Sequence, residues 1–145
     1  MQQPNLDRSA ITLHNLLHLF FDGIEGYVYA PNLDRETGDF NQVFVKTGNL
    51  QMLHDYIKEQ SNETDVYLAP AVYSEPKVSK ATFAASRVVW CEHDGNSPDA
   101  ISPVPSITVI SSLPGHTHSY WLLDEPVTDA HDLEEVNRAL TFTLK

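Results

Sequence analysis

A chain of 145 residues with nine Lys and Arg against twenty Asp and Glu carries a formal net charge of -11 at pH 7, the opposite of what a protein gripping nucleic acid by bulk charge requires. The length suits one domain, which buries roughly two thirds of the surface its unfolded chain exposes. One cysteine excludes an internal disulfide and agrees with a reducing compartment. No run is long and apolar enough to cross a membrane, and "MQQPNLDRSA" lacks the basic end and apolar stretch of a signal peptide, so the expectation is a cytoplasmic protein.

In chain order, Leu13, Leu16, Leu17 and Phe20 recur at helical spacing, and the run stops at "DGIEG" with Gly23 as a cap; this predicts an amphipathic helix over 9–22. "GYVYAP" and "NQVFVKT" read as strands joined by the polar loop "NLDRETGDF". Asn49 is placed as the N-cap of a second helix with Leu50, Leu53 and Ile57 on one side. "DVYLAPAVY" is a further strand and "SEPKVSKATFAAS" a connector carrying Lys77 and Lys80. Three extended segments follow, Arg87 to His93, Ser106 to Ser112 and Thr117 to Leu123, and a last helix begins near Thr128 or Asp129 with Leu133, Val136 and Leu140 inward. With no repeats and no low-complexity tracts, residues 1–145 form a single α+β domain, a largely antiparallel sheet with flanking helices.

Two stretches carry chemistry. In "VVWCEHDG" the alternation of a strand puts Glu92 and Asp94 on one face and Cys91 and His93 on the other. The oxygen face suits a hard ion such as magnesium or manganese, and the sulfur-imidazole face suits zinc. In "ITVISSLPGHTHSYWLLDEP" two extended runs flank a Pro-Gly turn, which reads as a hairpin. His116, His118, Tyr120 and Leu122 take one face of its outgoing strand, and Thr117, Ser119 and Trp121 the other. A hairpin laid beside "VVWCEHD" brings a histidine close to two carboxylates.

A strand ending in acid-x-acid, followed by a hairpin histidine in a "GHTHSYW" context, resembles the archaeo-eukaryotic primase superfamily, closest to the RepB-like primases and primase-polymerases of plasmids and phages. The resemblance runs from about Asp65 to Pro126 and rests on two of the family's three catalytic motifs. It implies a primase-like catalytic core in which Glu92 and Asp94 bind divalent metal, Mg2+ or Mn2+, and His118 contacts the triphosphate of the incoming nucleotide. His116 stands where the family often has a small polar residue, and Glu92 where Asp is usual. The family's third motif, an acid a few tens of residues after the histidine, has no evident home before Lys145, so the resemblance also implies a core incomplete at its C-terminus. The implied activity is template-dependent nucleotidyl transfer in DNA replication, from ribonucleotides or deoxyribonucleotides, by a DNA primase or DNA-directed polymerase of a microbe or phage-infected host. Its partners are nucleoside triphosphates, a single-stranded DNA template and, in a longer parent, a C-terminal helicase domain.

The chemistry fits these residue types independently. Nucleotidyl transfer needs carboxylates that hold metal beside the attacking and leaving oxygens, and alternate strand positions supply them on a rigid element. Lys77, Lys80 and Arg87 are the basic residues nearest in sequence to the acids, with Lys80 the candidate phosphate ligand. Three other readings stay open. Cys91, His93, His116 and His118 have the residue types of a zinc site. "HTH" with Tyr120 resembles the histidine-x-histidine nucleases of rolling-circle replication. The fold can also serve as a non-catalytic nucleic-acid-binding replication module. Each piece alone has an ordinary reading, an acid pair at a solvated strand end or satisfied sheet histidines.

Overall fold

The computed structural model describes residues 11–94, 105–110 and 116–144, and for 92–94, 108–110, 116–117 and 140–144 it is the backbone that is described. Helix α1 spans Leu13–Phe21. Thr12 sits at its N-cap in an extended conformation, its hydroxyl accepting from the Asn15 N–H at 3.1 Å, so this helix begins after Thr12; residues 9 and 10 of the expected span lie outside the described residues. The helix ends at Phe21 with Asp22 at the C-cap, one residue before the expected Gly23, and Asp22 donates its N–H to the His18 carbonyl; Gly23 follows at a φ of +78°, open to glycine at little cost.

Strands β1 (Tyr27–Tyr29) and β4 (Phe44–Lys46) pair antiparallel, Val28 opposite Val45. Between them lies a hairpin where the sequence suggested a loop: β2 (Asn32–Asp34) pairs with β3 (Phe40–Asn41). Its turn is built by Asp34, whose carboxylate accepts the N–H groups of Glu36 and Thr37 at 2.9 and 3.2 Å, with Gly38 at φ +79°. Polar strands with no apolar alternation read as loop.

Helix α2 spans Leu50–Gln60, with Leu50 and Leu53 buried. Asn49 holds the N-cap position without a side-chain hydrogen bond, because a 3-10 turn over Thr47–Asn49 feeds into the helix. The expected strand "DVYLAPAVY" is two strands in two sheets, β5 (Thr64–Val66) and β6 (Val72–Tyr73). Pro70, with no N–H to donate, lies between them.

The long strand β7 spans Phe83–Asp94, so the expected connector already becomes strand at Phe83. Then come β8 (Ile107–Ile110), β9 (His116–Val127) and α3 (Ala130–Leu144). The Asp129 carboxylate caps the start of α3, accepting from the N–H groups of His131 and Asp132. The Pro114-Gly115 turn expected in "LPGH" lies outside the described residues.

Among the described residues all strand pairs are antiparallel, in a six-stranded sheet ordered β4-β1-β6-β7-β9-β8 and a three-stranded sheet ordered β3-β2-β5. The architecture is mixed α+β with antiparallel sheets and a few helices. The main core gathers Leu17, Phe20 and Phe21 of α1, Val28, Val72 and Val88 of the large sheet, and Leu50 and Leu53 of α2. Each such side chain contributes roughly 1.5–3 kcal/mol by leaving water. Trp90 and Tyr120 pack against this cluster, Tyr120 with its ring 5.2 Å from that of Phe20, so they are sheet-face residues and not exposed stacking platforms.

In the other row of β7, Val89 and Cys91 are buried, as is Leu133 of α3, which packs along this strand. Val136, expected inward, is 41% exposed. Asn137 takes the inward role, its side-chain oxygen accepting the Trp90 backbone N–H at 2.8 Å. Among the described residues no strand pairs with β7 on its β6 side beyond Ala85, and this amide satisfies a group the sheet would leave open. No helix among the described residues is long and apolar enough to cross a membrane.

Candidate functional site

The ribbon of β7 and β9 places the residues singled out by sequence. Its register is continuous from His116 opposite Asp94, through Thr117 opposite His93 and His118 opposite Glu92, to Ser119 opposite Cys91 and Tyr120 opposite Trp90. β8 lies on the far side of β9, with Val109 opposite His118. Directly opposed positions in an antiparallel pair have Cβ atoms about 4.5–5.5 Å apart. Glu92 with His118 and Asp94 with His116 are therefore cross-strand neighbours in one row, and that row continues inward to Trp90 and Tyr120.

The alternate row holds Cys91, opposite Ser119, and His93, opposite Thr117. Cys91 and Ser119 are 4% and 0% exposed. By register, then, Cys91 and His93 fall in a different row from His116 and His118, and the four residues of the zinc reading are not gathered on one face. Among the described residues no group of three or more His, Cys, Asp or Glu stands ready to hold a metal.

The ribbon is tied down at its inner end. Below the pair Val88 with Leu122 the register shifts, and Ser86 comes to face Val127. Ser86 stitches this irregularity, its hydroxyl donating to the Val88 carbonyl at 2.7 Å and accepting the Val88 N–H at 3.3 Å. Val88 and Ser86 are both fully buried, so the strand that carries Glu92 starts from a fixed base.

The basic residues are not brought to the acids. Lys80 precedes β7 and pairs with Glu134 of α3 at 3.2 Å; nine residues of extended strand, about 30 Å, separate Phe83 from Glu92. Lys77 lies in the same connector, its carbonyl accepting from the Thr82 hydroxyl. Arg87 stands about 17 Å from Glu92 along the strand. Its side chain runs toward the end of α1, near Gly23, and its buried Nε has no hydrogen-bond partner. With Asn15, His18, Leu19 and Leu122 it lines a groove of about 600 Å³. A wider depression of about 1080 Å³ opens between the end of α1, the Gly23–Tyr27 segment and the start of α2. Neither lies at the Glu92–His118 end of the ribbon.

Acids that follow His118 sit at the other end of the ribbon. Asp124 and Glu125 are exposed near the close of β9, and Asp129 is engaged in capping α3. One group escaped sequence reasoning altogether: His14 and His18 of α1 and His54 of α2 lie together beside the α1–α2 seam. The i,i+4 spacing of the first two was a visible signal, but their meeting with His54 depends on how the helices pack. No family model, curated protein or solved structure matches this chain.

Proposed function

We propose that this chain is a nucleotidyltransferase core of the primase-polymerase kind, joining nucleotides on a single-stranded DNA template with Mg2+ or Mn2+. The observation that carries the reading is the register, with Glu92 opposite His118 and Asp94 opposite His116. The donor set suits the ion. Two acids at alternate positions of one strand lie about 7 Å apart along the backbone, close enough for their carboxylates to share a hard divalent cation. Bound there, the metal would neutralise charge on the reacting phosphate. Glu92 and Asp94 would hold it, and His118 would donate a hydrogen bond to the triphosphate from the neighbouring strand. The rigid base of the ribbon keeps these groups aligned through turnover.

Tyr120 speaks against the rolling-circle nuclease. A nucleophilic tyrosine must reach a phosphodiester, whereas this ring packs on Phe20 and the core. With a net charge of -11, template affinity should be weak without divalent ion at physiological salt and rise when Mg2+ or Mn2+ is added.

The deciding experiment is extension of a labelled primer on a single-stranded template, with NTP or dNTP and either metal. Incorporation should fall to background in Glu92→Ala and Asp94→Ala and drop on the order of a hundredfold in His118→Ala, while far-UV circular dichroism stays unchanged. Synthesis that survives both acid substitutions would overturn the assignment. Tight template binding without metal, and with no synthesis, would install the non-catalytic module in its place.

A further inference from the structure

We propose that the groove between α1 and the β7–β9 ribbon binds a small carboxylate with an apolar tail, its head held by Arg87. The ribbon opens at this point: between the pairs Val88 with Leu122 and Ser86 with Val127, Arg87 alone faces residues 123–126. Such an irregularity bends the strand and re-aims its side chains. Beside it lies the groove of about 600 Å³, a size common among small-molecule sites.

A positive charge stands in this groove without a counterion. Arg87 is partly buried in the lining, its Nε has no hydrogen-bond partner, and no ion pair among the described residues includes it. The guanidinium reaches the close of α1, with Nη2 3.7 Å from the place a Cβ on Gly23 would take. The carbonyl end of the helix favours a cation there but supplies only about half a charge. Among the described residues of the lining the one acid is Asp22, which is exposed and has Oδ1 3.6 Å from His18 Nδ1. Arg87 is thus left unmatched in a chain of net charge -11. A partly buried arginine with no acceptor in the protein is matched by one from outside, and a carboxylate meets its planar fork with two parallel hydrogen bonds. One unmatched charge, with Asp22 near, suits a monoanion better than a phosphate dianion.

The rest of the lining suits the tail. Leu19 on α1 and Ile11 just before that helix are each 39% exposed, and Leu122 and Leu123 of β9 stand across the groove from them. An aliphatic chain laid between these side chains takes apolar surface out of water that the fold alone leaves wet. Leu122 also packs on the main core, so the groove is formed before any ligand arrives.

Titration of the isotope-labelled chain with sodium octanoate, followed by its amide resonances, tests this. Shifts should saturate and gather at Asn15, Leu19, Arg87, Leu122 and Leu123. Arg87→Met keeps an unbranched side chain and removes the charge, and should weaken octanoate about tenfold or more. Leu19→Ser, at an exposed position that leaves the fold intact, should weaken it about fivefold; far-UV circular dichroism checks both variants. Octanol, acetate and inorganic phosphate should each bind about tenfold more weakly than octanoate, or worse. Octanoate affinity unchanged in Arg87→Met, or octanol as tight as octanoate, would remove the carboxylate clamp. Acetate or phosphate as tight as octanoate, or affinity unchanged in Leu19→Ser, would remove the apolar wall. Shifts gathered elsewhere, or none, would remove the site, and any of these outcomes overturns the proposal. Octanoate binding is read without nucleotide incorporation, so its failure leaves the chemistry of Glu92 and Asp94 untouched.

Discussion

The two sheets of this molecule are held together by different physics. The large sheet is closed by apolar contact: Val28, Val72 and Val88 are fully buried, and α1 and α2 lay Leu17, Phe21 and Leu53 over them. The small sheet is closed by a polar chain. Tyr56 of α2 donates to the Ala30 carbonyl at 2.7 Å and accepts from Asn32 Nδ2 at 2.9 Å, and Asn32 Oδ1 accepts from Asn41 at 3.0 Å. Asn32 and Thr64 are buried there, while Phe40 is 53% exposed. Apolar burial is non-directional and tolerates small shifts, whereas a buried amide is expensive unless its partners stand in place. The small sheet should therefore be the less forgiving of chemical change and the large sheet the less forgiving of volume change.

The sharpest way to break the large sheet is at Gly26, where β1 meets β6. A Cβ there would stand 2.6 Å from both the Tyr73 carbonyl oxygen and Val72 Cγ1, at a φ of +153°. Gly26→Ala should cost about 4 kcal/mol or more, read as a lowered urea midpoint, because the obstructing atom is backbone. A loss under about 1 kcal/mol would mean that the strands separate easily. Leu53→Ala removes a fully buried side chain at the α1–α2 seam and should cost about 3 kcal/mol by the same measurement.

Tyr56→Phe probes the small sheet, keeping the ring and deleting the hydroxyl that serves Ala30 and Asn32. We expect a loss of about 1–2 kcal/mol. Hydrogen exchange should quicken at Asn32 and Val66, a β2–β5 pair, while protection at Val28 and Val72 holds. Equal loss of protection in both sheets would show that they unfold as one unit and remove the distinction.

The smallest effect is expected from alkali. Burial first, and the neighbouring Tyr29 second, raise the Tyr73 phenol above its ordinary value of 10.0. A group whose folded value is raised contributes stability present in full below the unfolded value and lost as pH climbs through the folded one. The wild type should thus weaken progressively above pH 10, and Tyr73→Phe should weaken less over the same range. Parallel pH curves for the two proteins would show that Tyr73 ionises as freely folded as unfolded.

What the sequence alone determined follows from periodicity and composition. The helical spacing of Leu13 to Phe20 and of Leu50, Leu53 and Ile57 placed α1 and α2, and the apolar runs at 87–93 and 117–123 placed the two strands of the ribbon. That a histidine of the second strand would come close to the two acids was legible as well, since period-two alternation sorts Glu92 and Asp94 into one row and His116 and His118 into another; that Glu92 stands opposite His118 was decided by the register. What only tertiary structure decided is where local patterns are silent or ambiguous. The run at 65–73 reads as one strand, but its two ends join different sheets. Asn32–Asp34 carries no apolar alternation and becomes strand through Tyr56, which is 24 residues away from Asn32. Val136 has the spacing of a core residue, yet Asn137 faces β7, because an unpaired strand amide at Trp90 is satisfied there by a side-chain oxygen. Lys80, close in sequence to the acids, ends at the opposite end of a 12-residue strand, and His54 joins two histidines from another helix. Local pattern records which face of an element is apolar; which elements meet is settled by contacts between residues far apart in the chain.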